Sequence, residues 1–576
     1  MNRRSLVFNA ILIYCLSFLC LNNKAYGFGN NQYYNSLQYQ GYRQRQELMD
    51  MELPLSNDIS VNQGEKFKPQ IKGCVKINNI DIENPYSLSK EKIDHIIKKW
   101  NHRCLTVSDI NTILNILNQA YLKTNFLTTR AYLPQQDLSS GHLRIVIIEG
   151  RIENFNFTGT PERFHEMTAF PWIAGNVLDL NDLKQGLDNM NRLPNWKTSL
   201  KINKGHQDNT SIVEVKTPKA GLIHGKVSTD NNGQSISART IGRSNFIVTD
   251  LFGVLDMWSF EYDHSLNNRQ RLGHNSFFSM EGSVPMGPWL LWCGWWRSDD
   301  MYHDGPKIAL HREDVTQKDF HVGISRVLTR DLIGVTSLII SYQTKSFMNY
   351  RNHIRENYKS ARLSMLNITL SEYTKLWDRV WYINLGTKIG LNGLMTKTWI
   401  NNSGKYAPHT RFVKFILDIQ GDQPITKSLT WHTFVHGEYS DKSQYDNEQM
   451  QIGGPYTVRG FIRQNLAGNA GVYIRNDLSW TLPTDDMHCG DYQAFCDFFL
   501  DKSELYGSLD AGMTRAVYAT PYHVDKPKVG NIGSGGIGLR KKDGIFMWDA
   551  SVTHAFTPSI LAPEGWIAGF AFGISL

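Results

Sequence analysis

Arg459 stands out in this chain because of where it is placed, within Gly453-Gly454-Pro455-Tyr456-Thr457-Val458-Arg459-Gly460-Phe461. A guanidinium offers a rigid fork of donors and binds a carboxylate through two parallel N–H bonds. It makes and breaks no covalent bonds in that role; its work is to fix position. The glycines and proline make the run a tight, irregular loop rather than a strand or helix. The loop leads into an alternating segment, Gly471 to Leu482. That arrangement makes sense if the loop folds into a barrel and its arginine meets a carboxylate on the inner wall. Without a barrel, Arg459 is more simply an exposed loop cation, contributing about 0–1 kcal/mol.

Bond-making chemistry has no clear home elsewhere. Gly533-Ser534-Gly535-Gly536-Ile537-Gly538 fits G-x-G-x-x-G in form, but no helix follows it and it reads as a small-residue strand. There is no His-Glu-x-x-His, no Walker loop and no G-x-S-x-G, and the 18 histidines lack ligand spacing. We expect no catalytic residue, no cofactor and no metal. The net charge of +7 is spread without a basic block, so nucleic acid is not an expected partner.

The elements that would position Arg459 follow from periodicity. After Pro218, alternation replaces helical spacing for the rest of the chain. Val472, Ile474, Leu478, Trp480 and Leu482 share one face; Tyr473, Arg475, Asp477, Ser479 and Thr481 share the other. Val413, Phe415, Leu417 and Ile419 alternate with Lys414, Asp418 and Gln420, and Phe546, Trp548, Val552 and Phe556 with Asp549, Ser551 and Thr553. Strands of a soluble sandwich are usually about 5–6 residues, whereas these run nearer the 9–11 that span a bilayer. At about 22 residues per strand and turn, the region holds roughly sixteen strands, and in hydrocarbon such a sheet must close. Charged residues at 20%, aromatics at 12% and a mean hydropathy of −0.37 are too polar for a helical membrane protein and unusually aromatic for a soluble one.

Two smaller α+β units precede this region. In the first, a strand from Val75 to Ile80 leads to a helix with Ile93, Ile96, Ile97 and Trp100 on one side. Thr106 and Asp109 resemble a capping box opening a second helix striped by Ile110, Ile113, Leu114, Leu117 and Tyr121. Strands near Leu127–Leu133 and Leu143–Ile148 complete a β-α-α-β-β order. The second unit begins at Arg151, with a helix marked by Leu180, Leu183, Leu187 and Met190 between strands. It is a weak repeat of the first.

Residues 1–27 read as a secretory signal: Arg3 and Arg4, an apolar run from Leu6 to Leu21, then Ala25-Tyr26-Gly27. Residues 28–50 are polar, helical or disordered, and 51–72 form a linker. Export to an oxidising compartment makes pairing of cysteines plausible. Cys74–Cys104 and Cys489–Cys496 are the economical pairs, leaving Cys293 single.

Taken in order, these letters resemble the two-partner secretion outer-membrane transporters (TpsB), the haemolysin secretion/activation ShlB/FhaC/HecB family of the BamA-like superfamily. The resemblance covers nearly everything after the signal. It rests on Cys74, Cys104-Leu105, Asp109-Ile110, Tyr121, Leu133-Pro134-Gln135-Gln136-Asp137-Leu138, Gly141-His142-Leu143 and Ile148-Glu149-Gly150-Arg151. Further along it rests on Asn191-Arg192-Leu193-Pro194, Gly453 to Phe461, Arg475-Asn476-Asp477-Leu478 and Asp510-Ala511-Gly512. Departures are Leu576, where a terminal Phe is usual, and Ser508, where many relatives carry an aromatic residue.

The resemblance implies POTRA domains at 73–150 and 151–217 in the periplasm and a 16-stranded antiparallel barrel over 218–576 in the outer membrane. It implies that loop 450–470 folds inward, with Arg459 held by Asp510 and Val458, Gly460, Phe461 and Gly512 completing a loop-to-wall lock. It implies that 28–50 plugs the pore. The expected function is export, and in some relatives activation, of a large secreted partner such as a haemolysin, adhesin or contact-dependent inhibition toxin. That partner would arrive unfolded and dock its N-terminal secretion domain on the POTRA units. Outer-membrane lipid is the other partner, and the expected state is a monomer. The alternative is an assembly factor, or insertase, of the same superfamily.

Overall fold

The computed structural model describes residues 73–575 apart from short internal segments, the longest being 400–406 and 491–498. The signal, the polar segment 28–50, the linker, Cys489 and Cys496 lie outside the described residues.

The first unit refines the expected order. The single strand read from Val75 to Ile80 is two strands, Cys74–Ile77 and Asn79–Glu83, which turn to different partners. Cys74–Ile77 pairs antiparallel with Arg103–Thr106, a short strand missed because it lies directly against a helix start. Asn79–Glu83 pairs parallel with His142–Ile148, whose other edge carries Arg130–Tyr132. The first helix stops at Ile97, so Trp100 packs from the turn beyond it rather than from the helix. Thr106 caps the second helix, Val107–Lys123; its hydroxyl accepts from the Asp109 N–H while the Asp109 carboxylate accepts from the Thr106 N–H. Hydrogen bonds to its carboxylate from the Thr106 hydroxyl and the Thr106 N–H hold the Asp109 carboxyl below the usual carboxylate range. Ile110, Ile113, Leu117 and Tyr121 are the buried stripe of that helix, packed on Leu143, Ile145 and Ile147.

A disulfide joins Cys74 to Cys104 with Cα atoms 5.3 Å apart, tying the two paired strands across a 30-residue separation. Replacing both by serine is expected to destabilise this unit by about 3 kcal/mol, because the unfolded loop regains its freedom. Limited proteolysis of the assembled protein across a urea series would read this as earlier cleavage within residues 73–150. Cleavage at the parent urea concentration would contradict it.

The second unit follows the order strand, helix, helix, strand, strand: Arg151–Thr158, His165–Ala169, Leu180–Asn191, Ser199–Lys204 and Thr210–Lys216. The helix His165–Ala169 is too short to leave a periodic signature in sequence. Asp179 caps the longer helix, and Leu183, Leu187 and Met190 face the core. At the Lys204–Thr210 turn, Glu153 accepts hydrogen bonds from Thr210, from His206 and from backbone N–H groups, which hold its carboxyl at about 2.

This unit is seated on the turns at one end of the barrel. Arg192 donates to Ser283 Oγ and the Leu255 carbonyl, both at 2.7 Å. Asn189 donates to the Gly287 carbonyl, Arg330 pairs with Asp188, and His165 meets Asp250 at 2.9 Å, with His165 fully buried. The arginine of Asn191-Arg192-Leu193-Pro194 thus fastens one domain to the next.

Sixteen strands of eight residues or more form the closed barrel, each antiparallel to its neighbours. The last, Trp566–Ser575, returns to the first, Ile223–Asp230, over Ala571–Asp230 to Ser575–Lys226. The strands run from 8 residues to the 20 of His311–Arg330, so the longest exceed the expected 9–11 and project beyond the hydrocarbon. Faces are inverted relative to a soluble sheet: Val413 is 40% exposed and Phe415 56%, whereas Lys414 between them is 2% exposed. Val472, Ile474, Leu478, Trp480, Phe570 and Phe572 likewise face outward, while Asp263, Asp300, Asp319, Lys345 and Asp510 are buried inside. Only a lipid exterior makes that inversion favourable. No helix among the described residues is long and apolar enough to cross a membrane; the crossing is made by strands.

Candidate functional site

The segment 441–469 joins strands Leu429–Ser440 and Ala470–Thr481. It does not lie outside the barrel. A short hairpin, Met450–Ile452 with Leu466–Gly468, carries its tip into the lumen. Val458 and Phe461 are fully buried there, clustered with Ile452, Tyr473, Ile532 and Ala555.

The tip holds its shape through its own backbone. Gly454 N–H donates to the Val458 carbonyl and Gly453 N–H to the Thr457 hydroxyl. Gly460 sits at φ +87°, where L side chains are strained. A Cβ at Gly460 would fall 2.9 Å from the Ala555 nitrogen and 3.1 Å from the His554 carbonyl carbon, so the tip packs directly on the backbone of strand Phe546–Phe556. Gly512 plays the reciprocal part on the wall. A Cβ there would lie 2.9 Å from Tyr473 Cβ and 3.1 Å from Val458 Cγ2, so its missing side chain makes room for Val458.

These constraints deliver Arg459 to the wall. Its Nε donates to Asp510 Oδ2 and its Nη2 to Asp510 Oδ1, both at 2.6 Å, the two-pronged geometry its chemistry allows. The Arg459 backbone N–H adds a third bond to Asp510 at 3.1 Å. Asp510 is 2% exposed, so the pair is removed from bulk water.

A second carboxylate takes part. Arg459 Nη2 also donates to Asp477 Oδ1 at 2.7 Å, and Asp477 Oδ2 accepts from Arg540 at 2.7 Å. Arg540 continues to Glu504 at 2.9 Å and lies over the Tyr506 ring, 4.2 Å from its centroid. The result is an alternating chain of charge across strands Ala470–Thr481, Glu504–Ala516 and Lys528–Lys541. Alternation places Asp477 on the inner face without assigning it a task; the structure gives it one. Its place on the same face as Tyr473 was the available signal. Nothing in the sequence tied Arg540 to it, because 63 residues separate them and only barrel register brings them together.

The tip touches the wall elsewhere too. Tyr456 accepts from Arg243 at 2.9 Å, and Arg243 is paired with Asp230 and Asp263 near the first strand. Glu564 accepts from the Ile462 and Gln464 N–H groups. The loop therefore meets separated sectors of the wall and spans the lumen. Such a site positions a segment of chain. No group of three His, Cys, Asp or Glu able to hold a metal occurs among the described residues.

Comparison with known proteins gives this geometry a context. The family described as "Haemolysin secretion/activation protein ShlB/FhaC/HecB" matches residues 209–519, a ShlB-type POTRA domain matches 75–150, and a further POTRA domain matches 151–203. The outer membrane transporter CdiB of Dickeya dadantii (strain 3937) is 29% identical over 412 residues, covering 71% of this chain and 72% of the relative. The hemolysin transporter protein ShlB of Serratia marcescens is 24% identical, covering 71% of this chain and 73% of the relative. The solved structure of CdiB from Escherichia coli matches with a TM-score of 0.82 at 22% identity, over 96% of this chain and 100% of that one, a likeness of fold. With its periplasmic POTRA domains and its outer-membrane barrel, the chain belongs to the haemolysin secretion/activation ShlB/FhaC/HecB family of transporters.

Proposed function

We propose that this outer-membrane transporter of two-partner secretion exports one large partner protein, and that the lumenal loop, held by Arg459, is the element the passing chain must displace or slide along. The observation that carries this reading is the two-pronged Arg459–Asp510 contact inside a closed barrel. A passive pore has no need to fix a loop within its own channel by a buried ion pair.

The partner arrives unfolded and meets the POTRA domains first. Among the described residues the outer strands are Asn79–Glu83 and Arg130–Tyr132 in one sheet, and Ser199–Lys204 and Arg151–Thr158, the latter bridged at Arg151 by Val177, in the other. An extended chain can add a strand to such an edge, with backbone bonds supplying affinity. Folding outside the cell then makes return unfavourable, in the way any process that removes the unfolded form pulls an equilibrium. The protein acts as a monomer and without enzymatic chemistry. The partner is a haemolysin, an adhesin or a contact-dependent inhibition toxin, a range supported by the relatives' names as CdiB and hemolysin transporters.

Deletion of the gene tests the reading. One large protein is expected to vanish from the cell surface and medium while bulk outer-membrane proteins stay at parental levels. A general fall in outer-membrane proteins would carry the insertase alternative instead.

A further inference from the structure

A second buried charge cluster lies in the lumen, at the root of the loop rather than its tip. Glu448 ends the short 3-10 turn Asp446–Glu448 and is 3% exposed. Its Oε1 accepts from Lys345 at 3.0 Å and its Oε2 from Lys388 at 3.3 Å, while Lys414 Nζ lies 3.8 Å from Oε2 and donates to the Glu448 carbonyl at 2.5 Å. Lys345 also donates to the Asn447 carbonyl at 2.6 Å.

The three lysines come from three wall strands, Gly334–Arg351, Arg379–Leu391 and Val413–Pro424. Lys388 and Lys414 are direct cross-strand partners. Like charges directly opposite on a sheet repel, and burial removes the water that would screen them. Glu438 also pairs with Lys414, at 2.9 Å, and itself faces His436 at 3.4 Å, with Asp418 on the other ring nitrogen of His436. The wall thus answers Lys414 with Glu438, while the carboxylate that meets all three lysines comes from the loop. Tyr445, packed on Phe347 with ring centroids 5.4 Å apart, seals the same root.

We propose that Glu448 is a positioning residue for export: a second latch that holds the loop root on a three-lysine seat, separate from the Arg459 latch on other strands. It rests on the export reading above only for its purpose; the latch itself is a property of the resting barrel. Moving the loop out of the lumen requires both latches to open, and parting Glu448 from three buried ammonium groups opposes that movement.

The test uses Ser443→Cys, a near-isosteric change at a buried loop-root position, in the assembled full-length protein. The rate of labelling by a membrane-impermeant maleimide is measured against the same protein without the substitution. Adding Glu448→Gln is expected to raise that rate by about tenfold or more, since a neutral amide cannot hold three ammonium groups together. Glu448→Asp, which keeps the charge, is expected to restore much of the protection. Should Glu448→Gln fail to assemble, Glu448→Gln with Lys388→Met removes one charge of each sign and allows the same measurement. An unchanged labelling rate in Glu448→Gln, or in Glu448→Gln with Lys388→Met where only that variant assembles, overturns the latch. Because labelling needs no partner protein, that result is distinct from any failure of the export reading.

Discussion

Arg459→Ala is expected to lower export by about tenfold or more while the barrel still inserts and closes. The two halves of that result have different physical sources. Closure depends on backbone ladders such as Ala571–Asp230 to Ser575–Lys226, and none of these uses the Arg459 side chain. The loop tip, by contrast, is held to the wall by every polar contact that the guanidinium makes with Asp510 and Asp477. Removing it leaves Asp510, 2% exposed, without its main cation, and stranding one member of a buried pair costs about 3–5 kcal/mol. The tip then leaves its place, and the carboxylates of Asp510 and Asp477 face the path of the exported chain. Arg459→Lys should rescue poorly, because an ammonium is a point charge that cannot reproduce the fork on Asp510. Heat-modifiable migration in gels reports the folded barrel, and the exported partner in the medium reports function. Parental export by Arg459→Ala would remove the lock from the mechanism.

Gly460→Val is expected to dislodge the same tip without touching a charge. At φ +87° a β-branched residue is a steric outlier, and left-handed backbone costs roughly 1–2 kcal/mol for an L residue. The new Cβ would also stand 2.9 Å from the Ala555 nitrogen, against strand backbone that cannot yield as a side-chain end would. Overpacking of this kind adds about 1–3 kcal/mol. The two penalties act together on a single contact, so export should fall nearly as far as in Arg459→Ala, again with the barrel assembled. Labelling of a cysteine at Val458, fully buried in the parent, should quicken in the Gly460→Val background. Protection there as strong as in the parent would show that the wall yields to the added side chain and that close approach at Gly460 is dispensable.

Much of this architecture could be read from periodicity, and the reason is local. Alternation such as Val413-Lys414-Phe415 obliges a strand to present two unlike faces whatever it pairs with, and a length near that of a bilayer crossing sets its surroundings. The capping pair Thr106 and Asp109 and the stripe Ile110, Ile113, Leu117 and Tyr121 are equally short-range, and the helix lies where they place it. The strand Arg103–Thr106 and the helix His165–Ala169 were missed because elements this short have no period to detect. The motif order pointed to Arg459 and Asp510, yet the same letters left Asp477 with no role and were silent on Arg540, Lys345, Lys388 and Glu448.

That division follows from how each kind of contact is made. Which face of a strand meets lipid, and which loop is too glycine-rich to be anything else, are decided by neighbours a few positions away along the chain. Which carboxylate meets Arg459, and which lysines surround Glu448, are decided by the register of strands closed around a lumen: the Lys345–Glu448 contact joins residues 103 apart, and the Arg540–Asp477 contact residues 63 apart. A shift of one residue in any of those pairings would turn the side chain to the opposite face, so these contacts exist only once the barrel is complete.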